Sequence, residues 1–124
     1  MEMLDTADDV IAVKMAHRIA GNDLEKIMDR LDAAMARHDK VHVFVETQAI
    51  DGIELQGLGA YMARAMPLFG KLDRFGRVAV VADQAWIRAA TRIESAMLPF
   101  ISYEVFEPQD RERAFAWVTG AEAG

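Results

Sequence analysis

The side chains best equipped for chemistry in this chain are three carboxylates, Glu46, Asp51 and Glu54, gathered on one short stretch. Oxygen donors at that density suit a hard cation such as Mg2+. The stretch reads as the connection from a strand to a helix, and in open parallel sheets ligands collect outside the carboxyl ends of strands. The acids have structural uses as well. Asp51-Gly52 is a turn dipeptide, and Glu54 complements the positive end of a helix. The sequence therefore assigns no metal here and no other cofactor. His17, His38 and His42 lack a close ligand spacing, and the chain has no cysteine to complete a zinc site. Ser95 and Ser102 are the only serines, and neither sits in a nucleophile elbow. Gly52, Gly57 and Gly59 miss the dinucleotide fingerprint, and there is no Gly-Lys-Ser/Thr loop. The expectation is a chain that binds without catalysing.

Bulk properties narrow what it could bind. With 124 residues, 52% of them hydrophobic, the chain has enough apolar surface for one core and reads as a single domain. Lys and Arg number 14 against 20 Asp and Glu, a net charge of −6. A general affinity for nucleic acid or an anionic membrane needs the opposite field. The opening MEMLDTADDV is acidic and unlike a signal peptide, and the longest apolar run, VAVVA at 78–82, is too short to cross a bilayer. A cytoplasmic protein without membrane insertion is expected.

The elements that would position these residues follow from apolar periodicity. Val10, Ile11, Ala12, Val13 and Met15 predict a strand in a hairpin with Met3 and Leu4. Asn22, with Glu25 three residues on, predicts a reciprocal cap for a helix that buries Leu24, Ile27, Met28, Leu31, Ala34 and Met35. Residues 41–45 predict a central strand. A second helical pattern runs over 55–72 with Pro67 inside it, where a kink or break is expected. The apolar run at 78–82 predicts a strand covered on both faces. Asp83 would cap a third helix burying Trp86, Ala90, Ile93 and Met97 and ending before Pro99. A last strand at 101–106 precedes a fourth helix that starts near Pro108 and buries Ala114, Phe115 and Val118. The order ββαβαβαβα predicts an α/β fold: a five-stranded mixed sheet, mostly parallel with an antiparallel first strand, carrying four helices on both faces.

That order, together with VFVETQAIDGIELQGLGAY at 43–61, RVAVVADQAW at 77–86 and EPQDRERAFAWV at 107–118, resembles the SpoIIAA-like family. The resemblance implies the STAS fold of anti-sigma-factor antagonists and a kinship with lipid-carrying CRAL-TRIO folds. In phosphorylatable antagonists a strand ends in an acid, and an Asp-Ser-Ser-Gly-Leu-Gly segment then opens a helix. Glu46 matches the first acid. In the segment Glu54 replaces the aspartate, Leu55 and Gln56 stand where the serines would be, and Gly57, Leu58 and Gly59 are retained. Neither leucine nor glutamine accepts a phosphoryl group, so a serine switch is not expected here.

The resemblance implies a non-catalytic binding or regulatory module. The residues suggest where it binds. Tyr61 and Leu68 lie seven apart on the second helical pattern, outside its core stripe. A helix apolar on more than one side meets something beyond its own sheet. The expected surface comprises Glu46, Asp51, Glu54, Gln56, Gly57, Tyr61, Leu68, Asp83 and Trp86. Its occupant would be a protein partner, a second copy of the chain in a homodimer, or a small apolar ligand or lipid. In the last case Lys71, Arg74 and Arg77 are candidates to receive an anionic head group.

Overall fold

The computed structural model describes residues 1–53, 63 and 66–120, apart from the side chains of Gly21, Ile53, Leu68 and Phe69. Five strands, β1 (Glu2–Met3), β2 (Val10–Ile19), β3 (Val41–Ile53), β4 (Phe75–Ala82) and β5 (Ser102–Phe106), lie side by side in chain order. β1 is antiparallel to β2, with Met3 opposite Val13, and the other pairs are parallel. The mixed α/β sheet expected from the sequence is therefore present. Among the described residues there are three α-helices: α1 (Gly21–Met35), α2 (Ala85–Met97) and α3 (Arg111–Thr119).

Period-2 alternation divides the sheet's side chains between two cores. On one face Ile11, Val13, Met15 and Val41 pack with Met28, Leu31, Ala34 and Met35 of α1, and Ile87 of α2 joins them. On the other face Val10, Ala12, Phe44, Ala79, Val81 and Phe106 pack with Ala114 and Val118 of α3. The Phe44 and Phe115 rings meet edge to face, their centroids 5.1 Å apart. β2 and β4 are covered on both sides, which is why they read as unbroken apolar runs. Right-handed crossovers in a sheet of sequential order put α1 and α2 on one face. α3 follows the last strand and takes the other.

Several expectations need correction. The four-helix count is not confirmed among the described residues. Most of the expected second helix falls outside the described residues, and its last part belongs to a 3-10 segment, Met66–Arg74, broken at Lys71 rather than at Pro67. The cap of α1 lies two residues earlier than Asn22. Ala20 is the N-cap and has no side-chain acceptor, so only half of a reciprocal cap forms: the Asp23 carboxylate accepts the Ala20 N–H at 3.1 Å. β3 does not stop at Val45 but runs on to Ile53 beside β2. Glu46 and Asp51 are thus strand residues rather than loop residues.

The largest reversal concerns α2. Trp86, Ile93 and Met97, expected inside, are 59%, 65% and 75% exposed, while the buried residue of this helix is Thr91. The helix meets the sheet through its polar side, and the sequence pattern could not report that choice.

Candidate functional site

The carboxyl ends of β3 and β4 hold most of the described candidates. Side chains alternate along β3, so Glu46 shares the α3 face with Phe44. Its Oε1 accepts a 2.6 Å charge-assisted hydrogen bond from Arg111 Nε, and the carboxylate side chain is only 12% exposed. The Arg111 guanidinium also lies over the Phe44 ring, 5.8 Å from its centroid. Glu46 is therefore a tie between the central strand and the first turn of α3. Both its approach and its charge are taken up by that arginine.

Asp83 does not cap α2. Both of its carboxylate oxygens accept the N–H of Ala49, at 3.1 and 3.0 Å. Ala49 has φ 50, a left-handed conformation that a residue with a Cβ adopts at some cost, and the carboxylate offsets it. Next to it, Gln84 Oε1 accepts the Ile50 N–H at 2.9 Å, and Gln84 Nε2 donates to the Ile50 carbonyl at 3.0 Å. Arg88 Nη1 donates to the Ala82 carbonyl at 2.7 Å. Asp51 is exposed at the same end. The residues that assemble here around Ala49 and Ile50 are thus Asp83 and Gln84. Nothing in the sequence pattern singled out Gln84, Arg88 or Arg111: Gln84 and Arg111 act on partners far away along the chain, and Arg88 reaches back to a strand carbonyl.

The described residues of the expected surface do not share one patch. Glu46 belongs to the α3 face, whereas Trp86 stands on α2 across the sheet. Glu54, Gln56, Gly57, Tyr61 and the side chain of Leu68 lie outside the described residues. Among the described residues no three His, Asp or Glu side chains converge in a way that could hold a metal ion. The Thr47 hydroxyl, on a residue 7% exposed, has no hydrogen-bond partner among the described residues.

Two of the three basic residues expected to meet an anion, Arg74 and Arg77, are engaged elsewhere. Arg74 Nη2 donates to the carbonyls of Met35 and His38, at 2.6 and 2.5 Å, and so closes the end of α1. Arg77 Nε donates to the Val118 carbonyl at 3.3 Å in the last turn of α3. Each guanidinium sits where a helix C-terminus favours a cation.

Among the described residues, the outer side of α2 is open to a partner. Trp86, Ala90, Ile93 and Met97 recur at helical spacing on one line, and Phe100, 55% exposed, follows the helix end. Between α2 and the edge strand β5 lies an open groove of about 350 Å³ lined by Arg92, Ser95, Tyr103, Glu104 and Val105. Burial, and then the Glu94 carboxylate beside it, push the Tyr103 phenol up to about 12. Among the described residues no helix is long and apolar enough to cross a membrane.

Comparison with known proteins agrees with this architecture. A solved structure, an uncharacterized protein of the DUF3478 family with a SpoIIAA-like fold from Shewanella loihica PV-4, matches with a TM-score of 0.64 at 21% identity. The match covers 94% of this chain and 90% of that one. At that identity the likeness concerns the fold alone. No curated protein matches the chain. The SpoIIAA-like family model matches residues 10–119, nearly the whole length, so the chain belongs to the SpoIIAA-like family.

Proposed function

We propose that this chain is a non-catalytic binding module that engages a protein partner, a second copy included, through the apolar outer side of α2. One observation carries the reading: Trp86, Ile93 and Met97, all more than half exposed, share one line of α2, and Phe100, also more than half exposed, follows the helix end. Apolar residues scattered singly on a surface are ordinary, but a contiguous row marks an interaction surface. Covering each of these side chains would stabilise a complex by about 1.5–3 kcal/mol before the costs of association. The absence of enzymatic activity is supported by the engagement of Glu46 with Arg111 and of Asp83 with the Ala49 amide. A carboxylate held in that way is poorly placed to move a proton or a metal ion. The segment with Glu54, Gln56, Gly57 and Tyr61, expected from its residues to dock a partner, lies outside the described residues.

The alternative occupant is a small apolar ligand or lipid, as in CRAL-TRIO carriers. The groove beside α2 favours this less, since most of its lining is polar or charged. Mass spectrometry under native conditions, at micromolar protein, separates the two. A dimer or protein complex that disappears in the double variant Ile93→Glu, Met97→Glu supports the proposal. A retained apolar small molecule would favour the carrier instead. A bare monomer whose binding of a hydrophobic dye is the same in wild type and variant would end the reading.

A further inference from the structure

At the other end of the β3–β4 pair a histidine is placed so that only its neutral form fits. The register there shifts between Val41↔Phe75 and Val43↔Val78, so His42 stands against both Gly76 and Arg77. This is a bulge. The Cε1–Nδ1 edge of the imidazole lies against the glycine. A Cβ at position 76 would come within 2.4 Å of His42 Cε1 and 2.6 Å of Nδ1. Nδ1 accepts the Arg77 N–H at 2.8 Å, which requires a lone pair on that nitrogen and the proton on Nε2. Nε2 lies 3.9 Å from Asp9 Oδ2, and the side chain is 12% exposed. The His42 N–H donates to the Asp9 carbonyl at 2.8 Å, which anchors the backbone as well. Arg77 in turn reaches the last turn of α3 at Val118, next to Gly120, whose φ of 79 ends that helix.

We propose that His42 is an acid-operated latch joining the β3–β4 bulge to the end of α3. Protonation converts Nδ1 from acceptor to donor, so two N–H groups face each other and the Arg77 amide loses its partner. The ring is wedged between the Gly76 backbone and the β1–β2 turn, which hinders a swing that would relieve the conflict. The bulge then opens, and the hold of Arg77 on Val118 loosens with it. The charged groups facing the ring are Arg77 from β4, Asp9 from the β1–β2 turn and Lys40 ahead of β3. Burial and then Arg77 lower the pKa, Asp9 opposes them, and Lys40 adds to the lowering. With the folded-state value depressed, the unfolded chain takes up the proton first. The contribution of His42 to stability is therefore complete above about pH 6.5 and falls away as the pH drops through the folded-state value.

The test follows amide hydrogen exchange and imidazole nitrogen shifts in the full-length chain. In wild type, protection of the Arg77 amide, corrected for intrinsic exchange chemistry, should fall about tenfold or more between about pH 7 and pH 5, with the amides near Gly120 following. His42→Asn, whose amide oxygen can take the place of Nδ1 without titrating, should keep its protection across that range. His42→Phe should be less protected already at neutral pH and insensitive to acid. An Asn variant that loses protection as wild type does would overturn the proposal. So would a neutral wild-type imidazole protonated on Nδ1, a reading that requires no variant to fold.

Discussion

α1 and α2 carry apolar rows at the same helical spacing, yet the sheet takes the apolar side of one and the polar side of the other. α1 sets Met28, Leu31, Ala34 and Met35 into the core and leaves its charges outside. α2 meets the same face of the sheet through Ile87, Arg88 and Thr91. Its polar groups are satisfied at the contact, where the Thr91 hydroxyl donates to the Ile87 carbonyl at 2.9 Å and Arg88 holds the Ala82 carbonyl. A buried polar contact is tolerable when every donor finds an acceptor. Periodicity reports which residues share a side of a helix, while the neighbours decide which side is covered.

Truncating one row in each helix separates the two arrangements most sharply. Leu31→Ala should lower stability by about 2–5 kcal/mol in urea unfolding, because it opens a cavity in a packed core. Ile93→Ala should change it by no more than about 0.5 kcal/mol. Equal losses would mean that the outer side of α2 is covered in solution. Next in size is Arg88→Leu, which leaves the Ala82 carbonyl without this donor and removes the arginine from within 3.9 Å of Glu107. A loss of about 1–3 kcal/mol is expected, and a neutral result would show that α2 is not held by polar contacts. The smallest effect is at the flank of α2. In a Tyr61→Phe background, the ultraviolet titration of Tyr103 should centre at about 12, and Glu94→Gln should move it down toward the ordinary phenol value. Because the folded-state value is raised, this tyrosine adds stability below about pH 10 that is lost as the pH climbs through 12.

Much of the fold was legible in the sequence because the strands buried on both faces are apolar at successive positions, as Val10, Ile11, Ala12 and Val13 are. The family was legible from the strings at 43–61, 77–86 and 107–118 taken with the order of elements along the chain. The run of β3 beyond Val45 was hidden, since Glu46, Thr47 and Gln48 look like a loop until Arg111 and the neighbouring strands supply their partners. The candidate site was less legible still. Asp83 resembles a helix cap by position, and only the left-handed Ala49 amide nearby explains where its carboxylate goes. The orientation of α2 could not be read at all, because Trp86, Ile93 and Met97 form a core stripe by every local rule.

The Gln84 carboxamide has a consequence for how the sheet ends. β4 stops at Ala82 while β3 continues to Ile53, leaving part of one strand overhanging. By offering an acceptor and a donor to Ile50, the side chain imitates one more peptide unit of β4 and finishes the rung. The overhang is thereby closed at that rung to an incoming strand from another molecule, a common route to aggregation. Glutamate would supply the acceptor alone and lysine the donor alone. Insertion of a single residue between Ala82 and Gln84 would move the amide out of reach and leave that stretch of backbone free to polymerise.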